Sequence, residues 1–136
     1  MAFMKWTSDM SVGVALLDSE HKQLIRIINQ LYEGMSTGSA KSVLKKAFDA
    51  MVAYTGEHFG HEEQFFEQTQ YPLAAEHKAQ HEELRQLLVK FRGESDRKDN
   101  ALLALELLCA LKEWLEQHIM RDDKKYSGYL NGKGIR

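Results

Sequence analysis

The chain has 136 residues, of which 43% are hydrophobic and 28% charged, and its formal net charge is −2. That length and composition predict one globular domain, residues 1–136, with a substantial buried core. The near-neutral charge and the lack of a long apolar run argue against nucleic acid as a partner and against membrane insertion, and they favour a cytoplasmic location.

A single proline and apolar residues at helical spacing predict an all-helical fold. The four predicted helices run from Ser19 to Met35, from Lys41 to Glu67, from about Pro72 to Gly93 and from Asn100 to His118. Asp18 or Ser19 could cap the first helix. Pro72 fits the first turn of the third helix, where the N–H that it lacks would have no partner anyway. Small and polar residues at 33–40 and 93–100 indicate loops.

Four helices of similar length joined by short loops favour an up-down-up-down antiparallel four-helix bundle, preceded by an N-terminal extended segment. Cys109 is the only cysteine, so the fold has no internal disulfide, and we expect its thiol to be a small core side chain. The glycine-rich tail at residues 127–136 is expected to be loosely held.

Two short clusters, HFGHEE and EHKAQHEE, hold four of the six histidines. Residues four apart share one face of a helix, which places His58 beside Glu62 and His77 beside His81. Both pairs continue the apolar stripes of their helices and should therefore point into the core. His61 is turned away from the face of His58 and is expected at the surface or behind the inward-facing residues.

The inward histidines are predicted to meet at one end of the bundle. His21 lies near the start of the first helix and His118 at the end of the fourth, while the two clusters lie at the end of the second and the start of the third. A single inward histidine is more often a core residue that a neighbour satisfies. Five inward histidines at one level of an antiparallel bundle instead predict a metal site.

The types of ligand narrow the choice of metal. Five imidazoles and a carboxylate exceed the four ligands of a structural zinc ion, and the lack of thiolates argues against a soft metal or an iron–sulfur cluster. The number suits two carboxylate-bridged ions of iron or, less favourably, manganese. No Glu-x-x-His motif of the carboxylate-rich di-iron enzymes precedes a histidine. The site is therefore better suited to reversible binding than to oxidative chemistry.

The chain resembles the single-domain bacterial hemerythrins. The shared pattern is H…HxxxE…HxxxH…HxxxxD, and it falls here on His21, His58, Glu62, His77, His81, His118 and Asp123. The resemblance extends to the segment around Trp6 and to the stretch VGVALLDSEHKQL. It implies a non-haem centre of two Fe ions, bridged by an oxo or hydroxo group, that binds O2 reversibly.

By the same resemblance, one iron takes His77, His81 and His118, while the other takes His21 and His58 and keeps an open position for O2. Glu62 and Asp123 would bridge the two ions. On a regular helix, Asp122, four residues after His118, would lie on the face of His118 more closely than Asp123. The family pattern selects Asp123, which requires the helix to widen or end there and leaves Asp122 as a solvated charge.

The resemblance also implies an apolar O2 pocket and no catalytic residue. By offset from the ligands, the pocket residues are Leu24, Phe59, Trp114, Leu115 and Ile119, with Tyr126 nearby. Plain core packing would account equally well for each of them.

The leading interpretation is an O2-binding protein, not an enzyme, that stores oxygen or delivers it to an oxygen-consuming system. An O2 or redox sensor acting through a separate partner is one alternative. A di-iron enzyme acting on peroxide or nitric oxide, or an iron-handling protein, is another. No exposed apolar stripe is evident in the sequence, which favours a monomer.

Overall fold

The computed structural model describes residues 3–36, 40–94 and 100–136. Its helices are α1 (Ala15–Met35), α2 (Ala40–Thr69), α3 (Ala74–Glu94), α4 (Asn100–Gln117), a π-helical turn (His118–Asp123) and α5 (Lys124–Gly132). Helices α1 to α4 form the predicted antiparallel four-helix bundle, in which α1 packs on α2 and α4, and α3 packs on the same two helices. None of the helices in the described ranges is both long and apolar enough to cross a membrane.

A layer of polar side chains separates two apolar clusters inside the bundle. The larger cluster includes Leu24, Phe59 and Leu84, and the smaller one includes Leu17 and Phe66. On α1 and α2 the chain passes from one cluster to the other through buried polar residues. Their burial in this layer makes it the place to look for a site, because buried polar groups are costly without partners.

The first helix begins four residues before its predicted start. The Asp18 carboxylate does not cap α1 but accepts hydrogen bonds from the Val12 N–H at 2.8 Å and the Ser11 hydroxyl at 2.5 Å. The predicted cap is therefore wrong, because Asp18 lies inside the first turn and reaches back to the preceding segment. That segment is extended, as expected, and contains a short 3-10 turn, Ser8–Met10.

The third helix also differs from its prediction at both ends. Pro72 lies in the turn before α3, two residues ahead of its start, and α3 continues through Gly93 to Glu94. Of the two predicted loops, residues 37–39 and 95–99 lie outside the described residues.

The C-terminal tail is not loosely held. It forms most of α5, which buries Tyr126 and Leu130 in the smaller apolar cluster. The Asn131 amide donates hydrogen bonds to the Gly13 carbonyl at 3.0 Å and the Ile135 carbonyl at 2.8 Å. Burial of two large side chains therefore outweighs the low helix propensity of the glycines.

Cys109 is exposed rather than in the core. Leu107 and Leu111, two residues to either side, are buried. Residues two apart lie on nearly opposite sides of a helix, so α4 directs the Cys109 thiol away from the bundle interior. The prediction was wrong because a small apolar residue can occupy either face.

Candidate metal centre

The polar layer contains all seven residues of the sequence pattern, and none is more than 3% exposed. They are His21, His58, Glu62, His77, His81, His118 and Asp123. The Nε2 atoms of all five histidines, Glu62 Oε1 and both oxygens of Asp123 are buried and make no hydrogen bond within the described part of the chain. Unpaired buried donors and acceptors on this scale are unusual in a folded protein and indicate a site for a bound cation.

Glu62 lies between two groups of potential ligands. Its Oε1 atom is 3.0 Å from His81 Nε2 and 3.5 Å from His58 Nε2. One group joins Glu62 with His77, His81 and His118, and the other joins it with His21, His58 and Asp123. Within each group the ligand atoms lie within 4.8 Å of one another. A carboxylate that belongs to both groups could bridge two ions.

Asp123 also spans both groups. Its Oδ2 atom lies 2.9 Å from His21 Nε2, while Oδ1 lies 2.9 Å from His77 Nε2 and 3.1 Å from His118 Nε2. The layer thus presents five imidazole nitrogens around two carboxylates. Nitrogen and oxygen donors in this number, without thiolate, fit two iron ions better than a four-coordinate structural zinc ion.

The π-helical turn brings Asp123 into the layer. Its i→i+5 hydrogen bonding widens the helix, so that the residue five positions after His118 faces the same way. Asp122 stays at the edge, with a side chain that is 14% exposed and an oxygen 3.4 Å from His118 Nδ1. The expected widening is therefore present, whereas the expectation that Asp122 is a solvated charge was wrong.

The carboxylates and imidazoles of the layer shift one another's pKa values. Burial lowers the pKa of His77, but the Asp123 and Glu62 carboxylates outweigh this effect and raise it to about 9. Burial also lowers the pKa of His118. The charge of Asp123 and the contact with Asp122 outweigh this effect and raise the pKa to about 10. Burial raises the pKa of Glu62 and Asp123, yet the imidazoles hold both below their usual values. A cation binding here would displace protons from His77 and His118.

Glu20, which the sequence reasoning missed, lies directly behind the layer. Its Oε1 is 2.9 Å from His58 Nδ1 and its Oε2 is 2.6 Å from His61 Nδ1. His61 is 34% exposed and stays outside the layer, as expected. Glu20, Glu57 and His61 also form a third group that could hold a cation. Both Glu20 oxygens already accept hydrogen bonds, however, and these account for the arrangement.

The expected pocket residues surround the layer. Leu24, Phe59, Leu115, Ile119 and Tyr126 are buried, and Trp114 is partly buried. The Phe59 ring stacks on His81 with their centroids 3.7 Å apart, and the Trp114 ring stacks on His118 at 4.4 Å. The structure therefore brings apolar side chains against the imidazoles on the side of the larger cluster.

Tyr126 lies on the other side of the layer, where its hydroxyl donates a 2.5 Å hydrogen bond to Glu62 Oε2. We expect Tyr126→Phe to lower the free energy of unfolding by about 1.5–3 kcal/mol, the usual contribution of a hydrogen bond to a charged group. Urea unfolding of the metal-free protein measures this change. The control is Tyr32→Phe at a side chain that is 42% exposed, which should change stability by less than about 0.5 kcal/mol. Equal stabilities of the two variants would contradict the role of the Tyr126 hydroxyl.

Comparison with known proteins agrees with this geometry. Residues 12–130 match the model of the hemerythrin HHE cation binding domain. The bacteriohemerythrin of Stenotrophomonas maltophilia is 30% identical over 131 residues, which cover 93% of this chain and 81% of the relative. The myohemerythrin of Sipunculus nudus is 34% identical over 92% of each chain. A crystal structure of wild-type hemerythrin superposes with a TM-score of 0.80 and 27% identity, covering 95% of this chain and 98% of that one.

The sequence matches cover nearly the whole bundle, and the solved structure has the same fold. The matched range includes every residue of the polar layer. The chain belongs to the hemerythrin family, whose members bind O2 at non-haem iron.

Proposed function

We propose that the polar layer binds two iron ions and that the chain uses them to bind O2 reversibly, for storage or for delivery to an oxygen-consuming system. The observation that supports this most directly is the convergence of five unpaired imidazole nitrogens on two buried carboxylates. In the proposal, 136 residues act as one hemerythrin domain, as a monomer, in the cytoplasm. Sedimentation of the iron-loaded protein would test the proposed monomeric state.

The proposed ligands follow the two groups around Glu62. His77, His81 and His118 would hold one iron, and His21 and His58 the other, with Glu62 and Asp123 shared. Two imidazoles in place of three would leave the second iron with fewer protein ligands and thus with room for O2. A pair of ferrous ions supplies the electrons for reversible O2 binding, while the protein supplies the ligands and a dry surrounding.

The protein's own contribution is the exclusion of water and protons from the layer. Phe59 and Ile119 are at most 1% exposed and cover the layer from the side of the larger apolar cluster. Trp114 closes this side over His118. Water and protons that reached an iron centre here would promote its irreversible oxidation, so this apolar wall would favour slow autoxidation.

Iron content together with absorption spectra would test the proposal. The reduced protein is measured without oxygen, then in air, and then after purging with inert gas. Two irons per chain and a charge-transfer band that appears in air and fades on purging are expected. Immediate oxidation without a reversible band would instead favour the enzyme or redox sensor, and zinc or no metal would contradict the proposed centre.

Trp114→Ala is expected to bind two irons but to autoxidise at least about tenfold faster, equivalent to ~1.4 kcal/mol in the barrier. Its indole ring stacks on His118, and its removal would open a path for water to the layer. The decay of the oxygenated spectrum in air measures the rate. Trp114→Phe keeps an aromatic ring in place and should decay at nearly the wild-type rate. An unchanged rate in Trp114→Ala would show that the indole does not exclude water.

A further inference from the structure

We infer that Glu20 is a positioning residue for the metal centre: it fixes the tautomer and the orientation of His58 and connects this ligand to the helix that carries His21. The inference rests on the proposed iron site and assigns a role to a side chain outside the seven-residue pattern. Glu20 lies on α1 directly before His21, and its side chain is only 8% exposed.

The tautomer follows from the chemistry of the two groups. A carboxylate only accepts hydrogen bonds, and a neutral imidazole carries a single N–H. Because Glu20 Oε1 lies 2.9 Å from His58 Nδ1, the proton of this imidazole belongs on Nδ1. Nε2 then presents its lone pair toward Glu62 in the layer, at 3.5 Å from Oε1. Histidine ligands of metals are commonly oriented in this way by a carboxylate behind them.

The second oxygen keeps Glu20 from turning away. Glu20 Oε2 lies 2.6 Å from His61 Nδ1, and His61 follows His58 by three residues on α2. The carboxylate is therefore held at both oxygens by imidazoles of one helix while its backbone belongs to another. Buried charged groups with both ends bonded are rigid, so Glu20 restricts the relative position of α1 and α2 at this level.

This restriction acts on two neighbouring ligands. The His21 and His58 rings have centroids 4.5 Å apart and planes inclined by 71°. His21 follows Glu20 directly in the chain, and His58 is bonded to it. One carboxylate thus couples the two imidazoles that share an iron in the proposed assignment.

Among the described residues, no other imidazole of the layer has a carboxylate as close to its Nδ1 atom. Glu63 lies 3.5 Å from His81 Nδ1 and is 26% exposed, while Asp122 lies 3.4 Å from His118 Nδ1 and is 14% exposed. Both distances exceed those of well-formed charged hydrogen bonds, and both carboxylates are more exposed than that of Glu20. The effect of a carboxylate on ligand geometry is therefore concentrated on His58.

The experiment measures Co2+ binding to the metal-free full-length protein, together with the paramagnetically shifted, exchangeable N–H protons of its histidines. Glu20→Gln keeps the shape of the side chain and removes its charge. We expect this variant to lower the Co2+ affinity of the weaker of the two sites by about 10–100-fold. The affinity of the stronger site should stay within about threefold of the unchanged protein. The His58 Nδ1–H resonance should shift in this variant and disappear into solvent exchange in Glu20→Ala.

Glu63→Gln is the matched comparison, because it removes a more distant and more exposed carboxylate from another ligand. Equal losses in Glu20→Gln and Glu63→Gln, or an unchanged affinity and resonance in Glu20→Gln, would overturn the inference. Thermal unfolding of the metal-free variants identifies a folding defect, and Glu20→Asp, which keeps the charge, is measured if Glu20→Gln does not fold. Co2+ binding does not depend on O2. A protein that showed the expected Glu20 effect without reversible O2 binding would contradict only the proposed function.

Discussion

His77→Ala is expected to hold at most one iron per chain, where the unchanged protein is proposed to hold two. The Nε2 atom of His77 lies 2.9 Å from Asp123 Oδ1 inside the buried layer, and the substitution removes both a proposed ligand and a partner of a buried charge. The loss of one member of a buried pair also destabilises the metal-free fold, by about 3–5 kcal/mol. Iron analysis and urea unfolding measure the two effects.

Lys78→Ala is the control on the same helix, since Lys78 is exposed next to His77. It should keep both irons and change the free energy of unfolding by less than about 0.5 kcal/mol. Two irons in His77→Ala would remove this residue from the ligand set and weaken the proposed assignment.

Asp123→Ala should have a still larger effect, because this carboxylate contacts proposed ligands of both groups. It lies within 3.1 Å of Nε2 atoms of His21, His77 and His118. Without it, three buried imidazoles lose their shared counter-charge, and we expect no stable two-iron form and a loss of about 3–5 kcal/mol or more in metal-free stability.

Asp122→Ala distinguishes the π-helical arrangement from a regular helix. Asp122 lies 3.4 Å from the outward Nδ1 atom of His118, so this variant should still take up two irons at saturating iron concentration. The reverse result, with iron lost in Asp122→Ala and kept in Asp123→Ala, would mean that the helix is not widened at His118.

The histidine pairs could be predicted from the sequence because spacing alone determines their geometry. His77 and His81 are four apart on a helix whose apolar residues fix the inward face, so any bundle of this topology brings them together. Asp123 could not be assigned in this way, because regular helical geometry favours Asp122. Only the family pattern identified it, and the structure supplies the physical reason in the wider turn.

Glu20 was missed although a signal was available. It follows the buried Leu17 by three residues and precedes the buried Leu24 by four, a spacing that places it on the inward stripe of α1. The family pattern includes the neighbouring His21 but not Glu20, so it did not identify this carboxylate. The order of the tail was missed for another reason, since Leu130 becomes a core residue only through contacts distant in sequence.

The wider turn at His118–Asp123 also changes which positions of α5 face the interior. A regular α-helix that continued the inward face of Leu115 and His118 would turn positions 122, 125 and 129 toward the interior. Position 125 is a lysine, so this arrangement would bury its charged ammonium group in an apolar cluster. The additional residue shifts the inward positions to 123, 126 and 130, which carry an aspartate, a tyrosine and a leucine. A regular α-helix through this turn, with the sequence unchanged, would therefore exchange the entire inner surface of α5, well beyond a single ligand.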